Sequence, residues 1–454
     1  MEAVLTQSVA RRRLTHDDLL APFYESFKPE DKWRVGAEAE KFGVLQDTYA
    51  PLPYEGPRSV LSVLSALQRF GWLAESEYAG GAVIALKRGM ASITLEPGAQ
   101  LELSGAPFRS VHDTHSEWVE HIAELREVGS ELGIAWLGLG FHPFATQAAL
   151  PWVPKLRYAV MREYLPTRGS MGLDMMRRTC TVQSNLDYAS EADAMRKLRV
   201  SVALSPIITA MFANSPFYEG SLSGERTRRA LVWLNTDPDR TGLLPFLWNE
   251  TPSFERYVAW ALDAPMFLVK RDAKVVHNTG QTFRAFMRDG FGGTQANEDD
   301  WLTHLGTLFP EVRLKKTIEI RGADCLPYAL TPALAALSKG LLYDEAALTK
   351  AEALIAGISY DDAQGVRREL ARSGLQAELA GRPLLAWARE VVAIAREGLT
   401  HLQAQAVDPR GSENVYLEPL EQLLAAGQTP ADAALAKFDP SLPFAPQVVA
   451  LSRL

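Results

Sequence analysis

Five glutamates fall where an extended chain would turn them to one side. Glu38 and Glu40 lie in Trp33–Phe42 (WRVGAEAEKF), Glu96 and Glu102 flank the Pro97-Gly98 break, and Glu319 lies in Arg313–Arg321 (RLKKTIEIR). Successive strand side chains face opposite ways, so Val35, Ala37 and Ala39 share one face and Glu38 and Glu40 the other. Around the break, Leu101 and Leu103 oppose Gln100, Glu102 and Ser104. In Thr179–Leu186, Thr179, Thr181, Gln183 and Asn185 oppose Cys180, Val182 and Leu186. Oxygen donors without His or Cys suit hard cations, so Mg²⁺ is the expected metal, with Mn²⁺ also compatible. Cations held this way would offset the charge of a triphosphate.

The basic partners lie elsewhere. Between Lys155 and Arg178, six cations (Lys155, Arg157, Arg162, Arg168, Arg177, Arg178) face Glu163 and Asp174, a local +4 in an acidic chain. Arg226, Arg228 and Arg229 form a second group. Guanidinium groups grip carboxylates and phosphates in bidentate fashion, so the two groups could hold a small dianionic substrate and a nucleotide. Too few aromatics accompany the basic run for a nucleic-acid stacking platform.

The elements that must position these groups are short strands with one polar face each, Arg313–Arg321 being read as a fourth. Amphipathic helices separate them: Val60 to Leu67, His112 to Leu132, and a helix beginning at the capping-box-like Ser190-Glu-Ala-Asp193. From about Leu330 the pattern is helical, with few chemical groups. Gly290–Gly293 reads either as a loop able to cover a site or as a plain surface turn. Together the strands predict a sheet whose concave side is a polar site.

Composition narrows the classes. With 47 Lys+Arg against 55 Asp+Glu, the net charge of −8 argues against nucleic acid or an anionic membrane as partner. Cys180 and Cys325 cannot form a disulfide scaffold and suggest no structural zinc. No signal-peptide core and no membrane-spanning run is present in the sequence, and a cytoplasmic location is expected. Phosphate-loop, dinucleotide, nucleophile-elbow and zinc-protease motifs are missing from it.

With these stretches in view, the sequence resembles glutamate–cysteine ligase of the plant and proteobacterial type. The matching motifs are Arg34–Gly43 (RVGAEAEKFG), Leu95–Pro107 (LEPGAQLELSGAP), Met171–Gln183 (MGLDMMRRTCTVQ), Phe212–Gly220 (FANSPFYEG), Thr236–Gly242 (TDPDRTG), Phe309–Lys315 (FPEVRLK) and Glu319–Asp324 (EIRGAD). The resemblance runs from about residue 15 to the end. It implies an α+β fold: a bent antiparallel sheet shaped as a glutamine synthetase-like bowl, surrounded by helices, with a mostly helical C-terminal region. It also implies one catalytic domain over 1–454, with the active-site sheet in 15–330 and a helical buttress in 331–454.

On the same resemblance, ATP joins L-glutamate to L-cysteine, the first step of glutathione synthesis. Glu38, Glu40, Glu96, Glu102, Gln183 and Glu319 are the implied metal and phosphate shell, with Arg321 and Glu38 closest to the chemistry. Arg157 and Arg229 are implied to hold glutamate, with Thr181 and Asn185 on the same floor. Phe267, where plant enzymes carry Tyr, and Met175 are assigned to cysteine. Asn278 stands where plant enzymes place a hairpin cysteine, so no plant-style disulfide switch is expected. The protein is expected to act on small molecules as a monomer or homodimer. Two other readings are compatible with these residues: a related carboxylate–amine ligase with another amine acceptor, and a non-catalytic small-molecule binder of the same fold.

Overall fold

The computed structural model describes residues 13–454 apart from 272, 273 and 407. The strands are β1 (Val35–Leu45), β2 (Leu73–Ser76), β3 (Val83–Arg88), β4 (Ala91–Leu95), β5 (Leu101–Ser104), β6 (Ile134–Leu137), β7 (Thr181–Leu186), β8 (Val312–Leu314) and β9 (Ile318–Asp324), and alternating apolar and polar side chains mark those that line the site, β1, β5 and β7 among them. They form one nine-stranded antiparallel sheet in the order β8-β9-β7-β1-β5-β4-β3-β2, with β6 paired to the far half of β1.

Register is what brings the acids together. Glu40 pairs with Glu102 across β1 and β5, and Glu38 lies opposite Ser104 on one side and Gln183 on the other. Behind them Val35, Ala39, Leu101, Leu103 and Val182 are all buried. Burying an aliphatic side chain of this size stabilises by roughly 1.5–3 kcal/mol. A slip of one residue would expose these and drive the glutamates into the core, which fixes the pairing. Ser190 caps the helix Glu191–Met211, which packs on β9; the helix Ala333–Leu342 packs on β7 and β1. Among the described residues from Ala333 onward, the regular elements are helices apart from two two-residue strands. Among the described residues no helix is long and apolar enough to cross a membrane.

One expectation changes. Arg313–Arg321 is a hairpin of β8 and β9, with Lys315, Lys316 and Thr317 as its turn. An odd-numbered turn preserves alternation, so Arg313 and Glu319 still share a face, as a single strand would have them. Gly290–Gly293 is part of a tight turn closed by Phe291 and Thr294, and it lines no part of the cavity described below.

Candidate active site

The concave face of the sheet opens into a cavity of about 300 Å³. Glu38, Glu40, Glu96 and Glu102 line one part of it, Arg157 and Arg229 another, and Arg313, Lys315, Glu319 and Arg321 come from the β8–β9 hairpin. Trp233 and Phe309 form an aromatic wall, with ring centroids 6.0 Å apart. A short parallel pairing of Thr241–Gly242 with Phe309–Pro310 brings Phe309 there.

Local structure explains each placement. Glu96 sits on a turn in which its amide donates to the Gln100 carbonyl (2.9 Å), and the Gln100 side chain spans to the Met176 and Thr179 carbonyls (3.2 and 3.0 Å). Gly98 is required: a Cβ there would lie 2.5 Å from the Arg177 carbonyl oxygen. Arg157 is set by its neighbours, because Lys155 Nζ and the Tyr158 hydroxyl both donate to the Leu95 carbonyl, at 2.7 and 3.0 Å, one residue before Glu96. Arg229 lies on the helix Arg228–Trp233, which Thr227 caps. A bulge in β9 places Arg321 and Gly322 opposite the single residue Gln183, and both carbonyls turn toward Arg229 Nη2 and Nη1 (3.0 and 3.5 Å).

No ion pair joins the two sets among the described residues. Among the described residues Arg157 and Arg229 form no ion pair, and neither does Glu38, Glu40, Glu96 or Glu102. Burial, then Glu102 and Glu319, push the Glu38 carboxyl up to about 8. Burial, then Glu96 and Glu102, push Glu40 well above the carboxylate range. Glu319 goes the other way: burial raises it, but Arg313, Lys315 and Arg321 together pull it below that range. A guanidinium with no carboxylate partner is suited to a substrate carboxylate, and unpaired acids are suited to cations.

Several expected residues are engaged inside the protein. Glu319 takes two hydrogen bonds from Arg313 (2.5 and 2.9 Å), and Gln183 accepts from Arg321 (2.7 Å). Thr181 lines the cavity, with its amide on Glu40 (2.9 Å) and its hydroxyl turned to the Ala323 carbonyl (2.6 Å). Asn185 holds Glu38 from behind (2.8 Å). Met175 lines the cavity. Phe267 does not: it is 1 % exposed, under the Arg240 guanidinium at 3.8 Å and against Tyr164. Asn278 is buried, bonded to Gln281 (2.9 Å), and Cys180 and Cys325 are buried free thiols. Sequence reasoning did not bring in Trp233, Phe309, Tyr158 or Met161 as cavity residues; Met161 lies four residues after Arg157 on the helix Leu156–Tyr164, a spacing that shares a helix side with it.

Among the described residues no three Asp, Glu, His or Cys side chains are arranged to grip a metal ion by themselves. The donors fit a hard cation in kind, as all are carboxylate oxygens. The set is open, which suits Mg²⁺ completed by water and phosphate oxygens rather than an all-protein cage.

A bent antiparallel sheet enclosing a cavity of unpaired acids and arginines, buttressed by helices, defines a glutamine synthetase-like fold. Its similarity to a solved glutamate–cysteine ligase from Francisella tularensis in complex with AMP supports this, with a TM-score of 0.58 at 12% identity over 92% of this chain and 87% of that one. The chain belongs to glutamate-cysteine ligase family 2, whose profile matches residues 34–448. It is 42% identical over 435 residues to the chloroplastic glutamate–cysteine ligase of Brassica juncea (95% of this chain, 82% of that one). It is 41% identical over 430 residues to the chloroplastic glutamate–cysteine ligase B of Oryza sativa subsp. japonica (94% and 84%). These names correct one expectation: the sequence suggested a cytoplasmic protein, whereas these relatives are chloroplastic, and a cytoplasmic location does not stand.

Proposed function

We propose that this protein uses ATP to join the γ-carboxylate of L-glutamate to the amine of L-cysteine, the first step of glutathione synthesis. The observation that carries this reading is the charge arrangement: two guanidinium groups, Arg157 and Arg229, share one cavity with four acids, and among the described residues none of the six forms an ion pair. ATP transfers its γ-phosphoryl group to a side-chain carboxylate oxygen of glutamate, giving ADP and γ-glutamyl phosphate. The cysteine amine then attacks the acyl carbon, the C–O bond to phosphate breaks, and the amine loses a proton as the amide forms.

Arg157 and Arg229 hold glutamate by its carboxylate charge and fix its direction. Arg321 offsets charge on the transferring phosphoryl group, supported by Arg313 and Lys315. Glu38, Glu40, Glu96 and Glu102 would hold Mg²⁺, which neutralises the triphosphate when bound. Met175 stays assigned to the cysteine side, together with its neighbours Met161 and Met176 on the cavity wall. The protein's contribution is mainly orientation and electrostatics.

The test is ADP release by the purified protein with Mg²⁺, ATP and L-glutamate, comparing L-cysteine, 2-aminobutyrate, other amino acids and no amine. Glutamate-dependent release with the highest kcat/KM for cysteine is expected. A clear preference for another amine would move the function to a related carboxylate–amine ligase. No release with Mg²⁺ or Mn²⁺ would point to a binding protein.

A further inference from the structure

We infer that Asp324, which lines no part of the cavity, sets the position of the Arg229 guanidinium and through it the affinity for glutamate; this rests on assigning Arg229 to the glutamate carboxylate. Asp324 ends β9, three residues beyond Arg321, and is 1 % exposed. The Asn214 amide and the Ser215 hydroxyl both donate to its Oδ2 at 2.7 Å, and the Thr227 hydroxyl donates to Oδ1 at 3.0 Å.

Those two hydroxyls organise the start of the helix that carries Arg229. Thr227 Oγ1 accepts the Ala230 amide (3.1 Å), and Ser215 Oγ accepts the Arg229 amide (3.2 Å). A hydroxyl has one proton to give. With that proton committed to Asp324, each oxygen presents only lone pairs to the helix amides. The carboxylate therefore dictates the polarity of both links.

Arg229 is thus held at both ends by one strand. Its backbone is tied through Ser215 to Asp324, and its guanidinium rests on the Arg321 and Gly322 carbonyls of the β9 bulge. The carboxylate has little room to swing, since a Cβ on Gly140 would lie 2.3 Å from Asp324 Cγ. No cation pairs directly with Asp324 among the described residues, and Arg229 is the charge that opposes the effect of its burial. Asp324 is a positioning residue: it touches no substrate but aligns the group that does. The same strand carries Arg321, so the spacing between the glutamate-holding and phosphate-facing arginines is built into β9.

Steady-state kinetics on Asp324→Asn, Thr227→Val and Thr227→Ser test this. Asparagine would present an NH₂ donor where the hydroxyls must donate. Asp324→Asn and Thr227→Val are expected to raise the glutamate KM by about tenfold or more, because small misplacement of a binding group is costly, while the ATP KM stays within about twofold. Thr227→Ser, which keeps the hydroxyl, is expected to match the parent protein. The Asp324→Asn/Thr227→Val double variant is expected to be no worse than the poorer single one, since both cut one relay. An unchanged glutamate KM, or equal changes in all KM values, would overturn the inference while the parent protein still turns over glutamate. A parent protein with no glutamate-dependent turnover would overturn the assignment of Arg229, and this inference with it. Where Asp324→Asn fails to fold, the Thr227 pair decides by the same criteria.

Discussion

Arg313 and Glu319 face each other across the β8–β9 turn, two guanidinium nitrogens on two carboxylate oxygens at 2.5 and 2.9 Å, both side chains nearly sealed from solvent. Of the five acids in the cavity, Glu319 is the one whose charge is met inside the protein. The other four form no ion pair among the described residues, and that contrast divides the hairpin, which is built for rigidity, from the cluster, which is poised for a cation.

Breaking the pair should therefore cost stability. Arg313→Leu leaves a buried carboxylate uncompensated and is expected to lower unfolding stability by about 3–5 kcal/mol. An Arg313→Leu/Glu319→Leu double variant should recover most of that loss in urea unfolding. A double variant as unstable as the single one would show that the ion pair is not the cause.

Arg157 and Arg229 predict a binding phenotype. Arg157→Ala and Arg229→Ala each remove a charge-assisted contact, expected to cost about 1.5–3 kcal/mol, roughly a ten- to hundredfold rise in glutamate KM. Arg229→Lys should restore little, because a point charge cannot reproduce the planar fork. Initial rates at varied glutamate, with ATP and cysteine saturating, check this.

Glu38→Gln and Glu102→Gln should separate chemistry from folding. Turnover is expected to fall on the order of 10²–10³-fold, the usual loss when a transition-state electrostatic contact is removed. Thermal stability without divalent cation should hold or rise, because each change relieves carboxylate repulsion. A parallel fall in both would assign these residues a structural role.

The raised Glu38 carboxyl also fixes a pH trend. Its value rises from the usual 4.5 to about 8 on folding, so between those limits the unfolded chain has lost a proton that the folded chain keeps. Stability from this group is therefore greatest at low pH and declines as pH rises from about 4.5 to 8. Mg²⁺ competes with that proton, so the melting-temperature increase on adding Mg²⁺ should be larger at pH 8 than at pH 5.5. An equal increase at both would place Mg²⁺ elsewhere.

Alternation made β1, β5 and β7 legible in the sequence, because each has one buried apolar face and one polar face. It could not distinguish one strand from a hairpin at Arg313–Arg321, since a three-residue turn preserves parity. β2 is exposed along its whole length and β6 buried along its whole length, so neither alternates. The acids and both unpaired arginines could be named from residue type and family likeness. The aromatic wall could not: Trp233 and Phe309 reach the cavity only through tertiary packing. Phe267 shows the converse, an aromatic assigned by likeness that here lies under Arg240.

The central claim is that glutamate is activated by phosphorylation before cysteine attacks. Single-turnover reaction with L-glutamate labelled with ¹⁸O in its γ-carboxylate, followed by mass spectrometry of phosphate and product, tests it most directly. The account predicts one ¹⁸O in the released phosphate, together with γ-glutamylcysteine. Unlabelled phosphate, or label transfer with no cysteine adduct, would contradict it.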